Sequence, residues 1–415
     1  MNRRLAAGVI AAFRDVQPEV LRARFASLDE RDWLRSEAWL HTSGLALYFL
    51  GRARALGIED VMPAQVLHGL QRSQAENRVR TDDLFREFMR INMEFQRAKL
   101  SYANLKGFTL APRSCSDPAD RYQHDLDFLV SRRDSDRCRE ALERQGYRLT
   151  AVFGDTWEFT AGHGEMVSLR DLYKVRSQRS LEVHLVSDKE QAESDRCGDR
   201  LSRLQLQVWK GFEFPALSER DKLLEQARHL FKHFTSEWTR TAWILEYANA
   251  IRSHQDDLPF WREIAAVIEG IPEQKIGIGV ATRITSRAFG AVPHTRFLAC
   301  SVDTLPEHLR LWVDHYHDEL VFNEHPGSKL YLLLQDVLQQ DNPEWSQRKR
   351  EKLLPIHVPP QAIQAARGNG AWSRLKATCA QTRFVWKRLR FHAAEGLRYK
   401  IEAARWKKFV ASLQN

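Results

Sequence analysis

The stretch RYQHDLDFLV, residues 121–130, sets two aspartates one residue apart inside a run that otherwise reads as a buried strand. Side chains at i and i+2 of a strand leave from the same face, so Asp125 and Asp127 point one way while Leu126, Phe128 and Val130 point the other. Two neighbouring carboxylates repel, and burying them uncompensated is costly. Either the face is open to water or a positive group sits between the two.

Outward from this stretch the pattern divides the chain. Residues 1–100 show helical periodicity throughout, in SEAWLHTSGLALYFLGRARAL and again in DDLFREFMRINMEFQRAKL. The opening MNRRLAAGVIAAFRDV is expected to be the first helix of the fold, since Arg14 and Asp15 follow its apolar run directly and no small-residue cleavage site appears. From Ala103 the pattern changes. The acidic strand leads into a helix, DSDRCREALERQ, closed by Gly146 at a left-handed cap position, and then strands are expected at YRLTAVF, WEFTA, EMVSL and SLEVHLV, the second and third joined by Gly162-His163-Gly164. Helical spacing returns after residue 200 and persists to 354, as in SERDKLLEQARHLFKHF and RTAWILEYANAI. Residues 355–370, with PIHVPP and GNG, have the composition of a linker, and 371–415 forms a basic helical tail. The expected class is α+β: a small strand-and-helix module at 101–190 between two helical regions, predominantly helical overall.

With 415 residues, 43% of them hydrophobic, and 12 Trp and 21 Phe, the chain has ample material for globular cores and is excluded from the disordered class. No window reaches the roughly 18 consecutive apolar residues of a spanning helix. The five cysteines are scattered and show no CxxC spacing, so neither a disulfide framework nor a zinc site is indicated and a reducing, cytoplasmic setting fits. The net charge of +9 is concentrated at one end: residues 371–415 hold eleven Lys and Arg against two Glu, and the rest of the chain is neutral. Any anionic partner, RNA or a lipid surface, is therefore expected at the tail, against the alternative of a solvated helix pair.

A divalent cation explains the paired aspartates. Mg²⁺ (or Mn²⁺) takes oxygen ligands and keeps substrate phosphates and waters as the others. A third carboxylate from a neighbouring strand is normally needed where two ions bind, and Glu182, the one acid in SLEVHLV, is the candidate.

At this point the residues carry a resemblance. LKGFTLAPRSCSDPADRYQHDLDFLVSRRDSDRCREALERQGYRL resembles the uncharacterised nucleotidyltransferase family, a bacterial branch of the polymerase-beta-like nucleotidyltransferase superfamily. The similar positions are Lys106 and Gly107, Arg121, Asp125 and Asp127, Gly146 with Tyr147, then Glu182 and His184, and downstream His229, His233, Trp243 and Glu246. The likeness extends from about residue 60 to about residue 255. The wider superfamily has a Gly-Ser pair on its phosphate-binding turn where this chain has Gly107-Phe108, and small residues are commoner at the position of His124.

The resemblance implies a mixed-sheet nucleotidyltransferase module that moves a nucleoside monophosphate from a nucleoside triphosphate, with ATP the first choice, to a small-molecule, peptide or glycan-precursor acceptor. It implies Asp125, Asp127 and Glu182 as catalytic metal ligands, with Glu182 alternatively the base for the acceptor, and Lys106, Gly107, Arg121 and His233 as nucleotide contacts. Structural alternatives stand beside these: a solvated charge for Lys106, a salt bridge for Arg121, packing for the His229 and His233 pair, and an orienting role for His184. Rival readings of the whole are phosphoryl transfer at the same site, a nucleotide-binding scaffold without turnover, and RNA modification using the tail.

Overall fold

The structure, a computed structural model, describes residues 1–162, 168–186, 200–355 and 371–413. Four short helices, α1 (Arg3–Ala11), α2 (Pro18–Ala26), α3 (Glu30–Thr42) and α4 (Ala46–Ala55), precede α5 (Ala64–Arg97). The apolar run at the start of the chain is α1, and its Leu5, Ala6, Val9 and Ile10 are all buried. The strands β1 (Tyr102–Leu105) and β2 (Leu126–Val130) come next, then α6 (Ser135–Arg144), β3 (Arg148–Phe153), β4 (Thr156–Ala161), β5 (Arg179–Leu185), β6 (Gln205–Trp209) and β7 (Phe212–Ala216). The remaining helices are α7 (Glu219–Phe234), α8 (Thr241–Ser253), α9 (Leu258–Gly270), α10 (Pro272–Phe289), α11 (Thr295–Cys300), α12 (Glu307–Val321), α13 (Tyr331–Leu338), α14 (Trp345–Leu353) and α15 (Ala371–Leu413).

The seven strands form one mixed sheet in the order β3-β4-β5-β2-β1-β7-β6, parallel between β2 and β5 and between β1 and β7 and antiparallel elsewhere. Alternation along β2 and β5 decides its two faces. Leu126, Phe128, Val130, Leu181, Val183 and Leu185 pack with Phe85, Phe88, Ile91 and Phe95 of α5 and with Ala141 and Leu142 of α6. Asp127, Leu129, Glu182 and His184 lie on the other face, beside the smaller cluster of Ala103, Leu105, Leu129 and Leu217.

Two features differ from the strand expectations. β4 pairs with β5 and β3, whereas Ser168 and Leu169 of the expected strand EMVSL enter a short 3-10 turn; residues 163–167, including the rest of that strand and most of its turn, lie outside the described residues. The hairpin of β6 and β7, in a region whose spacing reads as helical, completes the sheet and delivers the chain to α7.

Helices from both ends of the chain share one large core, in which Trp33, Phe49, Trp261, Trp312 and Phe297 are buried together. α5 joins that core to the sheet: Val66 and Leu70 belong to the first and Leu84 to Phe95 to the second. Between these ends its inward face is polar, with Gln74, Asn77, Arg80 and Thr81 all buried. Gln74 donates to the Asp120 carboxylate, and two of the others bond the backbone of the segment leading into β2. Asn77 donates to the carbonyls of Ala119 and Arg121, and Arg80 to that of Gln123. Helix α15 buries His392, Tyr399 and Trp406 and ties itself down through Arg398 to Glu319 and Tyr399 to Asp336. On the same helix Trp386 and Leu389 are 60% exposed. Cys115, Cys138 and Cys300 are buried and unbonded, Cys379 is exposed, and Cys197 lies outside the described residues, as does the linker at 356–370.

Candidate functional site

The acids meet through strand register. In the parallel β2–β5 pair, Asp127 lies opposite Glu182 and Leu129 opposite His184, so both acids and the histidine share one face. One oxygen or nitrogen of each of Asp127, Glu182 and His184 lies within 4.8 Å of the others. His184 Nε2 is 3.2 Å from Asp127 Oδ1 and 3.4 Å from Glu182 Oε2, and its Nδ1 is 3.2 Å from the Thr156 hydroxyl of β4. Glu158 of β4, opposite Glu182 across the antiparallel register, adds a carboxyl whose pKa burial and Glu182 push up.

Asp125 sits one residue before β2 begins, half-buried, and is not one of the three converging donors. It feels the same charges. Burial and the neighbouring Asp127 raise its pKa to about 6, against the pull of Lys106.

The positive group required between the carboxylates belongs to the chain itself. Lys106 Nζ donates to Asp127 Oδ1 at 2.7 Å. Burial opposes the charge on Asp127, but Lys106 and the hydrogen bond from His184 overcome it and hold this carboxyl well below the ordinary range. The converse holds for the two cations. Burial alone would lower both, yet Asp127 together with Asp125 keeps Lys106 above its ordinary pKa, and hydrogen bonds to Asp127 and Glu182 raise His184 to about 9. Backbone geometry fixes the lysine. Lys106 has φ +49° and ψ −152°, a sparsely populated combination for a residue with a Cβ. Gly107, φ +47°, then turns the chain so tightly that a Cβ there would meet Gln123 Nε2 at 2.3 Å.

The donor set fits a divalent cation with one condition. Asp127 and Glu182 offer converging oxygen ligands of the kind Mg²⁺ and Mn²⁺ take, with Asp125 and Glu158 close enough to add negative potential. An ion bound there has to replace the Lys106 ammonium, and His184 has to release its proton or turn aside, because both now occupy the same oxygen of Asp127.

The other expected contacts fall around this centre. A narrow cleft of about 30 Å³ runs from β1 to α7 and α8, lined among others by Lys106, Thr109, Arg121, Lys222, His229 and Trp243. Arg121 reaches this cleft but spends its charge on Glu246, at 2.9 Å, where the Tyr48 hydroxyl also donates. His229 and His233 pack against each other and against the Trp243 ring, with centroids 4.3–4.7 Å apart, and burial lowers both pKa values. His124 is exposed, and its Nδ1 lies 3.2 Å from the Arg176 guanidinium. Spacing gave no warning of Glu158, Lys222 or Thr109, whose only common signal is their place in the assembled sheet and helix.

No curated protein sequence is significantly similar to the chain. Among solved structures, an antigenic nucleotidyltransferase-like protein from Paracoccidioides brasiliensis matches at 14% identity, over 52% of this chain and 93% of its own; its TM-score of 0.30 is too low to bear on the fold. The model of the family described as uncharacterised nucleotidyltransferase matches residues 29–271, more than half of the chain and wider on both sides than the stretch of resemblance noted above. The chain belongs to this uncharacterised nucleotidyltransferase family.

Proposed function

We propose that this protein transfers a nucleoside monophosphate from a nucleoside triphosphate, ATP in the first instance, to an acceptor of a biosynthetic or tailoring pathway. The observation that carries the reading is the pairing of Asp127 with Glu182 across adjacent parallel strands, with His184 on both, in a chain of a nucleotidyltransferase family. A nucleophilic oxygen of the acceptor attacks the α-phosphorus, the bond to the bridging oxygen breaks, and pyrophosphate leaves with that electron pair. Asp125, Asp127 and Glu182 would hold Mg²⁺ or Mn²⁺, whose charge neutralises the phosphoryl oxygens when bound. Glu182, 30% exposed, is also the acid best placed to receive the acceptor proton. Lys106, displaced from Asp127, meets a phosphate from the strained turn with Gly107, and a nucleoside entering beside Thr109 and Trp243 has to widen the narrow cleft there. His233 supports that wall through Trp243 and Arg121 holds it through Glu246.

The test uses ATP labelled at the α- or the γ-phosphate, a broad acceptor set and Mn²⁺. Label passing to acceptor from the α-position, with pyrophosphate released and both lost in Glu182→Gln, is the expected result; γ-label in the product would show phosphoryl transfer at the same acids. One observation favours a scaffold without turnover: Lys106 already neutralises Asp127. ATP binding with no transfer to any acceptor, and metal binding that appears only in Lys106→Met, would favour that second reading.

We also propose that α15 rests on an anionic lipid surface. At 100° per residue, Trp386, Leu389, Leu397 and Ile401 fall within a sector of about 120° turned away from the buried His392, Tyr399 and Trp406. Exposed Arg383, Arg390, Lys400 and Lys408 fall within the same sector, interleaved with these apolar side chains. Aliphatic side chains add nothing to RNA binding, and a second copy on this face would set like charges together. Co-sedimentation with phosphatidylglycerol vesicles but not with neutral ones, weakened by Trp386→Ala with Leu389→Ala, is expected; equal binding to both or to neither overturns this proposal.

A further inference from the structure

Three arginines far apart in sequence converge on one tyrosine ring beside the acid cluster. The guanidinium carbons of Arg80 on α5, Arg176 ahead of β5 and Arg240 ahead of α8 lie 4.5, 5.9 and 5.2 Å from the centroid of Tyr122. Arg240 also stacks over Trp238 and Trp243, at 5.6 and 5.4 Å. None of the three has a carboxylate within ion-pair distance among the described residues. The acids that act on Arg240 at longer range are Glu246, already paired with Arg121, and Asp125. Desolvation lowers the pKa of Arg80 and of Arg240, and the like charges of Arg176 and Arg121 lower them further.

The cluster is only partly explained by its contacts in the chain. Arg80 has a structural task, since its two terminal nitrogens donate to the carbonyls of Leu172 and Gln123. Arg176 reaches the Tyr122 hydroxyl at 2.8 Å and His124 Nδ1 at 3.2 Å, and Arg240 makes one long bond, 3.4 Å, to the Tyr122 carbonyl. The buried Nε–H groups of Arg176 and Arg240 have no partner. Gathering three guanidinium groups with spare donors and no counter-charge costs stability unless an anion completes the set. The flat aromatic floor suits guanidinium planes and leaves their edges free for a bidentate oxyanion. Exposed His124 and half-exposed Arg176 form the solvent side of the cluster. It also adjoins the reaction centre, because Tyr122, Gln123 and His124 run directly into Asp125.

We propose that Arg80, Arg176 and Arg240 around Tyr122 form an oxyanion site, distinct from the acid cluster, that holds a phosphate group of a substrate. The inference rests on the nucleotidyl-transfer reading for which substrate the phosphate belongs to, though not for the existence of the site. Two sources share this chemistry: the β,γ-phosphates of the nucleotide, which leave as pyrophosphate, and a phosphate carried by the acceptor.

Isothermal titration of the full chain with inorganic pyrophosphate, in EDTA so that no divalent ion bridges it to the acids, tests the site. One-to-one binding is expected, weakened at least tenfold by Arg176→Gln and by Arg240→Gln, and several-fold by Arg176→Lys, which keeps the charge and loses the fork. Asp127→Asn is expected to leave it intact or tighten it. Circular dichroism and thermal melts establish that each variant is folded, and half-exposed Arg176 makes its pair of variants the safer one. Absence of pyrophosphate binding, or binding indifferent to folded Arg176 and Arg240 variants, overturns the proposal. Metal-free ATP that displaces pyrophosphate one for one assigns the site to the triphosphate; ATP and pyrophosphate bound together assign it to the acceptor. Intact pyrophosphate binding without any α-label transfer would sink the transfer reading and leave the anion site standing.

Discussion

The acid cleft and the terminal helix both concentrate charge, and they manage it in opposite ways. In the cleft and the segment feeding it, Asp127, Arg121 and Glu246 are 3–10% exposed and each is matched by a named partner. Along α15, Arg383, Arg390, Lys400 and Lys407 face solvent, with no ion pair of their own among the described residues. Burial converts a charge into a structural commitment, because the desolvation already incurred is recovered only while the partner stays. Exposure leaves it available to something outside the chain, screened by salt and nearly free to change.

Breaking the buried side should have the largest effect. Arg121→Met strands Glu246 and is expected to cost about 3–5 kcal/mol in urea unfolding, whereas Arg121→Met with Glu246→Leu should recover much of it. A double variant as unstable as the single one would show that the pair is not the source of the loss. Asn77→Ala removes two hydrogen bonds to the backbone ahead of β2, and about 1–3 kcal/mol is expected in the same measurement. Transfer activity should fall with it, since the segment that positions Asp125 is released.

A smaller effect is confined to acid. Burial opposes the charge on Glu219, but His254 and Lys222 outweigh it and lower its pKa from 4.5 to about 2. A carboxyl depressed in the folded state contributes stability that is complete above pH 4.5 and is lost as the pH falls towards 2. Unfolding profiles of the parent and Glu219→Gln should therefore differ in slope between these limits and run parallel at neutral pH; equal slopes would count against the depressed value. Smallest of all, Arg390→Gln or Lys400→Gln on α15 should move stability by no more than about 0.5 kcal/mol. A larger loss would mean that this face is packed against protein.

What could be read from the sequence follows the same division. Periodicity located β2, β5, α6 and the helices after residue 218, because each has an unbroken apolar face to report. Glu182 could be named from its strand and the family resemblance, and the parallel register then sets it opposite Asp127. The hairpin of β6 and β7 was hidden by its own edge chemistry. Leu206 and Val208 point to solvent at 66% and 60% exposure, and Pro215 interrupts the second strand, so the alternation that marks a strand runs inside out. Lys106 on Asp127 and the arginines on Tyr122 depend on contacts between residues 21 to 118 positions apart, for which no spacing rule exists. The polar middle of α5, QAENRVRTDD, carries no apolar period to mark its inward face, and its burial is intelligible only once the segment at 119–123 is seen to need those donors.

That helix spans about 50 Å at 1.5 Å per residue. Because its middle grips the approach to Asp125 while its two ends are embedded in separate cores, the placing of that acid is tied to the packing of both.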